Sequence, residues 1–281
     1  MLAHRLIILV LSLLIVAGQE LKASCCSSAS SNGIGRLLPY ERAYLEFFND
    51  ARLAVGTFNN QGKFRSGILR HLDHWQLSHE LHAMARLTNF FLPFVKIPMK
   101  MSISALKTQS RLGDITLGAR WPLFGEGLLT HMPAISIMSS LQIPSGVEPN
   151  YWLSLGLVLD KSFGGLNLSL NYGLSIDPTY FSKQGFKPGI KHAAGLQAAF
   201  LLAQNHRLSV GCALSLQGLP RNNRGVNNIK YQIGVSTSYA WAFHSHLTLI
   251  TGLGAHVPVS YFGKKSNSEI FAQAGLRVGI F

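Results

Sequence analysis

Lys230-Tyr-Gln-Ile-Gly-Val-Ser-Thr-Ser-Tyr-Ala-Trp-Ala-Phe243 alternates over its whole length. Tyr231, Ile233, Val235, Thr237, Tyr239, Trp241 and Phe243 share one parity, and Lys230, Gln232, Gly234, Ser236, Ser238, Ala240 and Ala242 the other. Successive strand side chains point to opposite faces, so this segment has one greasy face and one small or polar face. The pattern recurs at Leu166–Ile176, where Leu166, Leu168, Leu170, Tyr172, Leu174 and Ile176 oppose Asn167, Ser169, Asn171, Gly173 and Ser175. It recurs again at Arg207–Leu219, where Leu208, Val210, Cys212, Leu214 and Leu216 oppose Arg207, Ser209, Gly211, Ser215 and Gln217.

Extended along the chain, the alternation predicts twelve strands: 43–57, 75–87, 91–106, 112–123, 133–143, 152–163, 166–176, 192–202, 207–219, 230–243, 247–261 and 269–281. The connections form two classes. Thr88–Phe90, Gly164–Gly165, Gln204–His206 and His244–His246 are tight, whereas Phe58–His74, Pro144–Tyr151, Asp177–Lys191, Pro220–Ile229 and Phe262–Ser268 are longer. Outer-membrane barrels have short periplasmic turns, longer external loops and, in single bacterial chains, an even strand count. Phe124–Met132 is the one connection too long for its predicted side.

Composition agrees. The 281 residues are 47% hydrophobic and 13% charged, yet beyond the N-terminus no stretch approaches the roughly 20 apolar residues a spanning helix needs. A closed barrel reconciles these facts, because each strand needs only about 9–11 residues and half of them face the lumen. The expected fold is therefore all-β, a closed antiparallel transmembrane barrel of about twelve strands with both termini periplasmic. Trp75, Phe90, Phe91, Trp121, Trp152, Tyr172, Trp241, Phe243, Tyr261 and Phe262 fall toward strand ends, where amphipathic rings meet the headgroup level. A soluble sandwich would carry charge on the outer face of its strands; these carry almost none.

Residues 1–24 read as a cleaved secretory signal, with His4 and Arg5 before the uncharged run Leu6 to Ala17, and 25–39 as a flexible Ser-rich segment ahead of a barrel over 40–281. Val16–Gly18 and Leu21–Ala23 both offer small-residue cleavage sites. Cys25 is a candidate for lipidation, although Lys22 stands where that signal carries an apolar residue. Cys25, Cys26 and Cys212 give neither a disulfide framework nor a C-x-x-C metal motif. The chain closes on Phe281, a residue the barrel-assembly machinery reads, but Ile280, Val278, Leu276, Ala274 and Ile270 have the opposite parity.

The formal charge is +13, but the basic residues are scattered singly, without a basic helix or aromatic platform, so nucleic acid is not an expected partner. Lipopolysaccharide, outer-membrane lipid or a small anionic solute fits an exported protein better. An ionised side chain on the lipid face would cost about 2–4 kcal/mol at the midplane, which assigns the charged parity to the lumen. The lumen candidates are Glu46, Asp50, Arg52, Glu80, Arg86, Lys96, Lys100, Asp114, Arg120, Asp160, Arg207, Lys230 and Arg277, joined by His82 and His256. They suit either a solute path or an ion-pair network that keeps a narrow barrel shut.

No catalytic set is expected. His244-Ser245-His246 has hydrolase residue types but falls in a predicted periplasmic turn, and there is no G-x-S-x-G elbow. His79 and His82 face opposite sides of a strand, which does not support a metal site, and no cofactor is implied. Gly33 and Gly35 lack the strand–turn–helix context of a nucleotide loop.

Ser110-Arg-Leu-Gly-Asp-Ile-Thr-Leu-Gly-Ala-Arg-Trp121 resembles a recurring segment of outer-membrane transporters like those of the phenol-degradation meta-pathway. Leu141-Gln-Ile-Pro-Ser-Gly146 looks like that family's strand-ending apolar-Pro-Thr-Gly segment, with serine for threonine. The two motifs cover 18 residues. The resemblance implies a barrel passing small, often hydrophobic or aromatic molecules; fold alone does not fix cargo. The functional expectation is a monomeric outer-membrane channel or transporter with a polar, net-basic lumen. The alternatives are a non-conducting structural or surface-interaction barrel and, third, a membrane-embedded lipid hydrolase.

Overall fold

The computed structural model describes residues 37, 41–58, 63–66, 75–103, 108–124, 133–145, 151–176, 190–218, 229–257 and 267–281. The strands are β1 (Ala43–Phe58), β2 (Phe64–Ser66), β3 (Trp75–Ala85), β4 (Leu92–Ile103), β5 (Thr108–Leu112), β6 (Ile115–Phe124) and β7 (Ala134–Ile143). They continue with β8 (Trp152–Phe163), β9 (Leu166–Ile176), β10 (Lys191–Ala203), β11 (His206–Gly218), β12 (Ile229–His244), β13 (Leu247–Val257) and β14 (Asn267–Ile280). Each long strand pairs antiparallel with the next, and β14 returns to β1, from Ala43↔Ile280 through Thr57↔Asn267. Among the described residues this is a closed barrel of twelve long strands; every expected strand is present. Closure leaves no edge whose backbone groups would need partners from lipid.

Short β2 and β5 were not expected. β2 extends the pairing of β1 beyond Gly56, and β5 pairs with the end of β4 from Met99↔Leu112 to Ile103↔Thr108. The predicted strand 112–123 is therefore broken at Gly113–Asp114, and Asp114 sits at a corner instead of inside a strand. The corner is steric and polar in origin. The Gly113 amide donates to the Pro98 carbonyl at 2.6 Å, and a Cβ on Gly113 would lie 2.9 Å from the Pro98 ring. Ser145 closes it, its hydroxyl 2.7 Å from the Leu112 carbonyl and 2.6 Å from that of Gly113. Gln142 donates to Asp114 Oδ2 at 2.7 Å. Residues 110–121 and 141–145 thus meet here, as an architectural joint.

The termini of the barrel and the tight turns share one end. Gly164–Gly165, with Gly164 at φ 56°, and Gln204–Asn205 and Ser245–His246 are two-residue hairpin turns, the form that matches strand twist. Arg86, predicted to lie in a strand, lies just past the end of β3 at this same end, its amide donating to the Arg42 carbonyl at 2.6 Å.

Parity sorts the side chains as the alternation requires. On β8, Leu153, Leu155 and Leu157 are 56%, 58% and 41% exposed, while Ser154, Gly156 and Val158 line the interior. Leu196, Val210, Cys212, Val235, Leu253 and Ile270 continue the exposed apolar belt. A continuous apolar surface around the barrel is far more than a soluble monomer exposes. Rings border it. His206 stacks on Trp241 (6.1 Å, 7°) and bonds to the Tyr239 hydroxyl at the turn end, while Tyr172 bonds to His192 at 2.8 Å toward the loop end. His192 is in register with Leu216, and Leu216 with Tyr231, ten residues from Trp241 along β12. At about 3.3 Å per residue and a tilt of about 40°, those ten residues rise about 25 Å, the height of an outer-membrane apolar band. Outward-facing Asn49 and His79, 2.6 Å apart, form a polar pair within the belt.

Candidate functional site

The interior has two unlike walls. Strands β8 to β13 turn small residues inward: Gly156, Ser169, Gly173, Ala193, Gly195, Gly211, Ala213, Gly234, Ser236 and Gly252. Strands β14, β1, β3, β4 and β6 turn inward most of the charge and the large rings. Three of these rings lie over glycines of neighbouring strands, Phe48 over Gly275, Phe94 over Gly118 and Phe271 over Gly254, so that side-chain volume is accommodated without widening the barrel. The empty space consequently lies toward the small-residue wall.

On the bulky wall, register places Arg277, Glu46, His82 and Lys96 in one row across β14, β1, β3 and β4. Arg277 pairs with Glu41 and lies 4.0 Å over the Tyr44 ring. His82 stands 3.9 Å from Glu46 and 3.0 Å from Glu80, which in turn takes Lys96 at 2.6 Å. Nearer the loops, Asp50 holds Arg52 at 2.7 Å, and Glu269 lies 4.0 Å from Arg52 and 3.5 Å from His256. Glu46, His82 and Arg277 are 4% exposed, so this side is packed solid.

The turn end is occupied as well. Leu37, 2% exposed, packs with Tyr44, Met84, Leu92 and Phe94, with Met138 against the cluster. Glu41, 1% exposed, fills the space above Gly279. Leu37 and Glu41, both ahead of β1, are therefore buried within the barrel. The rest of the expected flexible segment over 25–39, with Cys25, lies outside the described residues.

Among the described residues, two adjoining cavities of about 400 and 390 Å³ share Asn171, Lys191, Ala193 and Gln197 on their walls. The first reaches from the loop end, at Lys100, Asp114, Gln142 and Lys191, down to Arg120, Asp160, Asn167 and Arg207 near the tight turns. Arg120 donates to Asp160 at 3.1 Å and to Ser136 at 3.0 Å. Of the lumen candidates, Glu80, Lys96, Lys100, Asp114, Arg120, Asp160 and Arg207 line this first cavity, and Arg52 lines the second. Glu46, Asp50 and Arg277 lie in the packed ion-pair wall and Arg86 at the turn end. Lys230 has the inward parity in β12, but its side chain is outside the described residues. Charge parity alone did not single out Lys191, Gln197, Glu269 and Glu41. The first three share the inward parity of their strands; nothing in the pattern marks Glu41.

The histidine-rich turn is structural in its contacts. Ser245 and His244 are 3.4 Å apart, His246 bonds the Gly279 carbonyl at 3.1 Å, and Phe281 meets the His246 ring edge-on at 4.9 Å. Among the described residues no acid contacts this group, and no cluster of His, Cys, Asp and Glu could hold a metal ion.

No family model and no curated protein matches the sequence. Solved structures do match. An outer-membrane channel from Pseudomonas putida F1 is similar over 93% of this chain and 100% of its own, with a TM-score of 0.66 and 14% identity. The NanC porin is similar over 84% and 100% (TM-score 0.53, 8% identity), and the KdgM porin in complex with disordered oligogalacturonate over 84% and 99% (0.51, 9%). At such identities the likeness is one of fold: this chain has the fold of outer-membrane β-barrels.

Proposed function

We propose that the protein is an outer-membrane channel or transporter for small polar or anionic solutes, exported by a cleaved signal over 1–24, with its termini and tight turns in the periplasm. One observation carries the reading: the first cavity runs along the barrel wall between the loop end and the turn end and presents five cations, Lys96, Lys100, Arg120, Lys191 and Arg207, against the acids Glu80, Asp114 and Asp160. Cationic rings and patches in a pore favour anions. The likeness to barrels described as a channel and as porins, one of them bound to oligogalacturonate, supports the same reading. The family resemblance of Ser110–Trp121 and Leu141–Gly146 fits transport, and the eight charged side chains on the first cavity's wall favour hydrophilic cargo over aromatic hydrocarbons.

A second reading, a closed structural or surface-interaction barrel, is favoured by the Leu37 cluster and the Glu41–Arg277 pair at the turn end. In that case the long loops meet lipopolysaccharide or a partner. Swelling of liposomes carrying the refolded monomer separates the two. Entry of arabinose and of gluconate supports the channel; isotonic solutions of both that cause no swelling sink it.

A further inference from the structure

We propose that Arg207 and Gln197 form a seat for a small hydroxylated carboxylate, Arg207 taking the carboxylate and Gln197 a hydroxyl of the same molecule. This rests on the channel reading and names its solute class.

Arg207 is 6% exposed and lines the lower part of the first cavity, yet among the described residues its guanidinium meets no acid and no acceptor, and Nη1 is buried without a hydrogen-bond partner. A buried cation without a counter-charge is disfavoured, and the loss is recovered when an anion arrives. The other cations of this region are neutralised, Arg120 by Asp160 at 3.1 Å and Lys96 by Glu80 at 2.6 Å. Arg207 is the deep cation of this cavity that stands without a partner among the described residues.

Gln197, also 6% exposed, has Oε1 buried and unpartnered and lines the same cavity. The register places it on the neighbouring strand, on the same inward face as Arg207. Arg207 pairs with Leu201 on β10, and Gln197 is two inward positions from Leu201, with Ala199 between. Four residues are about 13 Å of strand, part of which the arginine side chain itself spans. The intervening positions are small: Ala199 on β10 and Ser209 on β11. Both side chains line one cavity, and among the described residues the buried Nη1 of Arg207 and Oε1 of Gln197 have no partner there. A carboxylate matches the guanidinium fork with two parallel N–H···O bonds, and a hydroxyl donates to the amide oxygen. A dianionic phosphate ester fits less well, since Asp160 lines the same cavity and, among the described residues, Arg207 alone of its two guanidinium groups is unpaired. The volume, about 400 Å³, is at the small end of ligand pockets.

The test uses the full chain refolded in detergent and titrated calorimetrically with gluconate, with its neutral analogue sorbitol and with propionate. Gluconate is expected to bind and sorbitol not to. Arg207→Gln is expected to weaken gluconate at least ten-fold and Arg207→Lys by less, because the charge is kept and the fork lost. Gln197→Ala is expected to weaken gluconate several-fold and leave propionate unchanged. Heat-modifiable gel mobility reports that each variant is folded. Gluconate binding that is absent in the parent chain, or equal in parent and Arg207→Gln, overturns the seat even if the protein conducts ions. A protein that binds gluconate through Arg207 yet conducts nothing keeps the seat and overturns the channel.

Discussion

Leu253→Arg and Ser236→Arg place the same charge at nearly the same depth on opposite faces of the barrel wall. Leu253 is 61% exposed on the outer belt and pairs with Thr237. Thr237 is four residues from Trp241, which puts Leu253 about 10 Å above the turn-end row of rings and about 15 Å below the loop-end row, at about 3.3 Å per residue and 40° tilt. That is close to the midplane, where an outward arginine costs about 2–4 kcal/mol. Ser236, one residue from Thr237, points inward beside Gly211 and Gly254 and lines the second cavity, where a long side chain finds room and water. Its replacement is expected to cost at most about 1 kcal/mol, the range of surface and lumenal changes. The assay is reversible denaturant unfolding from lipid vesicles followed by tryptophan fluorescence, with the m-value checked for constancy. Leu253→Arg should lower stability by about 3 kcal/mol and Ser236→Arg by no more than a third of that. Equal costs, or a larger cost for Ser236→Arg, would refute the assignment of faces and with it the lipid-exposed belt.

Gly118→Ala drives a methyl into the Phe94 ring and the Ser139 carbonyl, so the same unfolding assay should show a loss of about 1–3 kcal/mol, reduced when Phe94→Leu is added. Asp160→Asn removes the charge that balances Arg120; single-channel recordings should show stronger anion preference, and stability should fall by about 1–3 kcal/mol. Glu41→Gln breaks the ion pair to Arg277 beneath the Leu37 cluster and should raise open probability, with no change expected if the turn end does not limit passage.

Strand identity was legible wherever one wall of the barrel is small and the other face is greasy. Leu166–Ile176 and Lys230–Phe243 show in sequence the register they adopt, because a one-residue slip would turn every leucine or ring into the lumen. Thr108–Leu112 was not legible as a separate strand: its break from β6 depends on Gly113 fitting against the Pro98 ring and on Ser145 reaching back across the corner. Lumenal charge was legible as parity but not as pairing. Glu41 and Arg277 stand at opposite ends of the chain and meet only because β14 closes on β1. The pairing of Arg120 with Asp160, and the lack of a partner for Arg207 among the described residues, depend on which of several inward charges the barrel brings to one height. That Leu37 enters the lumen follows from the open apolar end formed by Tyr44, Met84, Leu92 and Phe94, residues that are separate in sequence.

The central claim, a membrane-spanning barrel whose basic cavity passes small solutes, is tested most directly by the refolded full chain in a planar bilayer under a potassium chloride gradient. Discrete unitary currents with a reversal potential favouring chloride are the predicted result. A silent bilayer with correctly inserted protein, or currents that favour potassium, would contradict it.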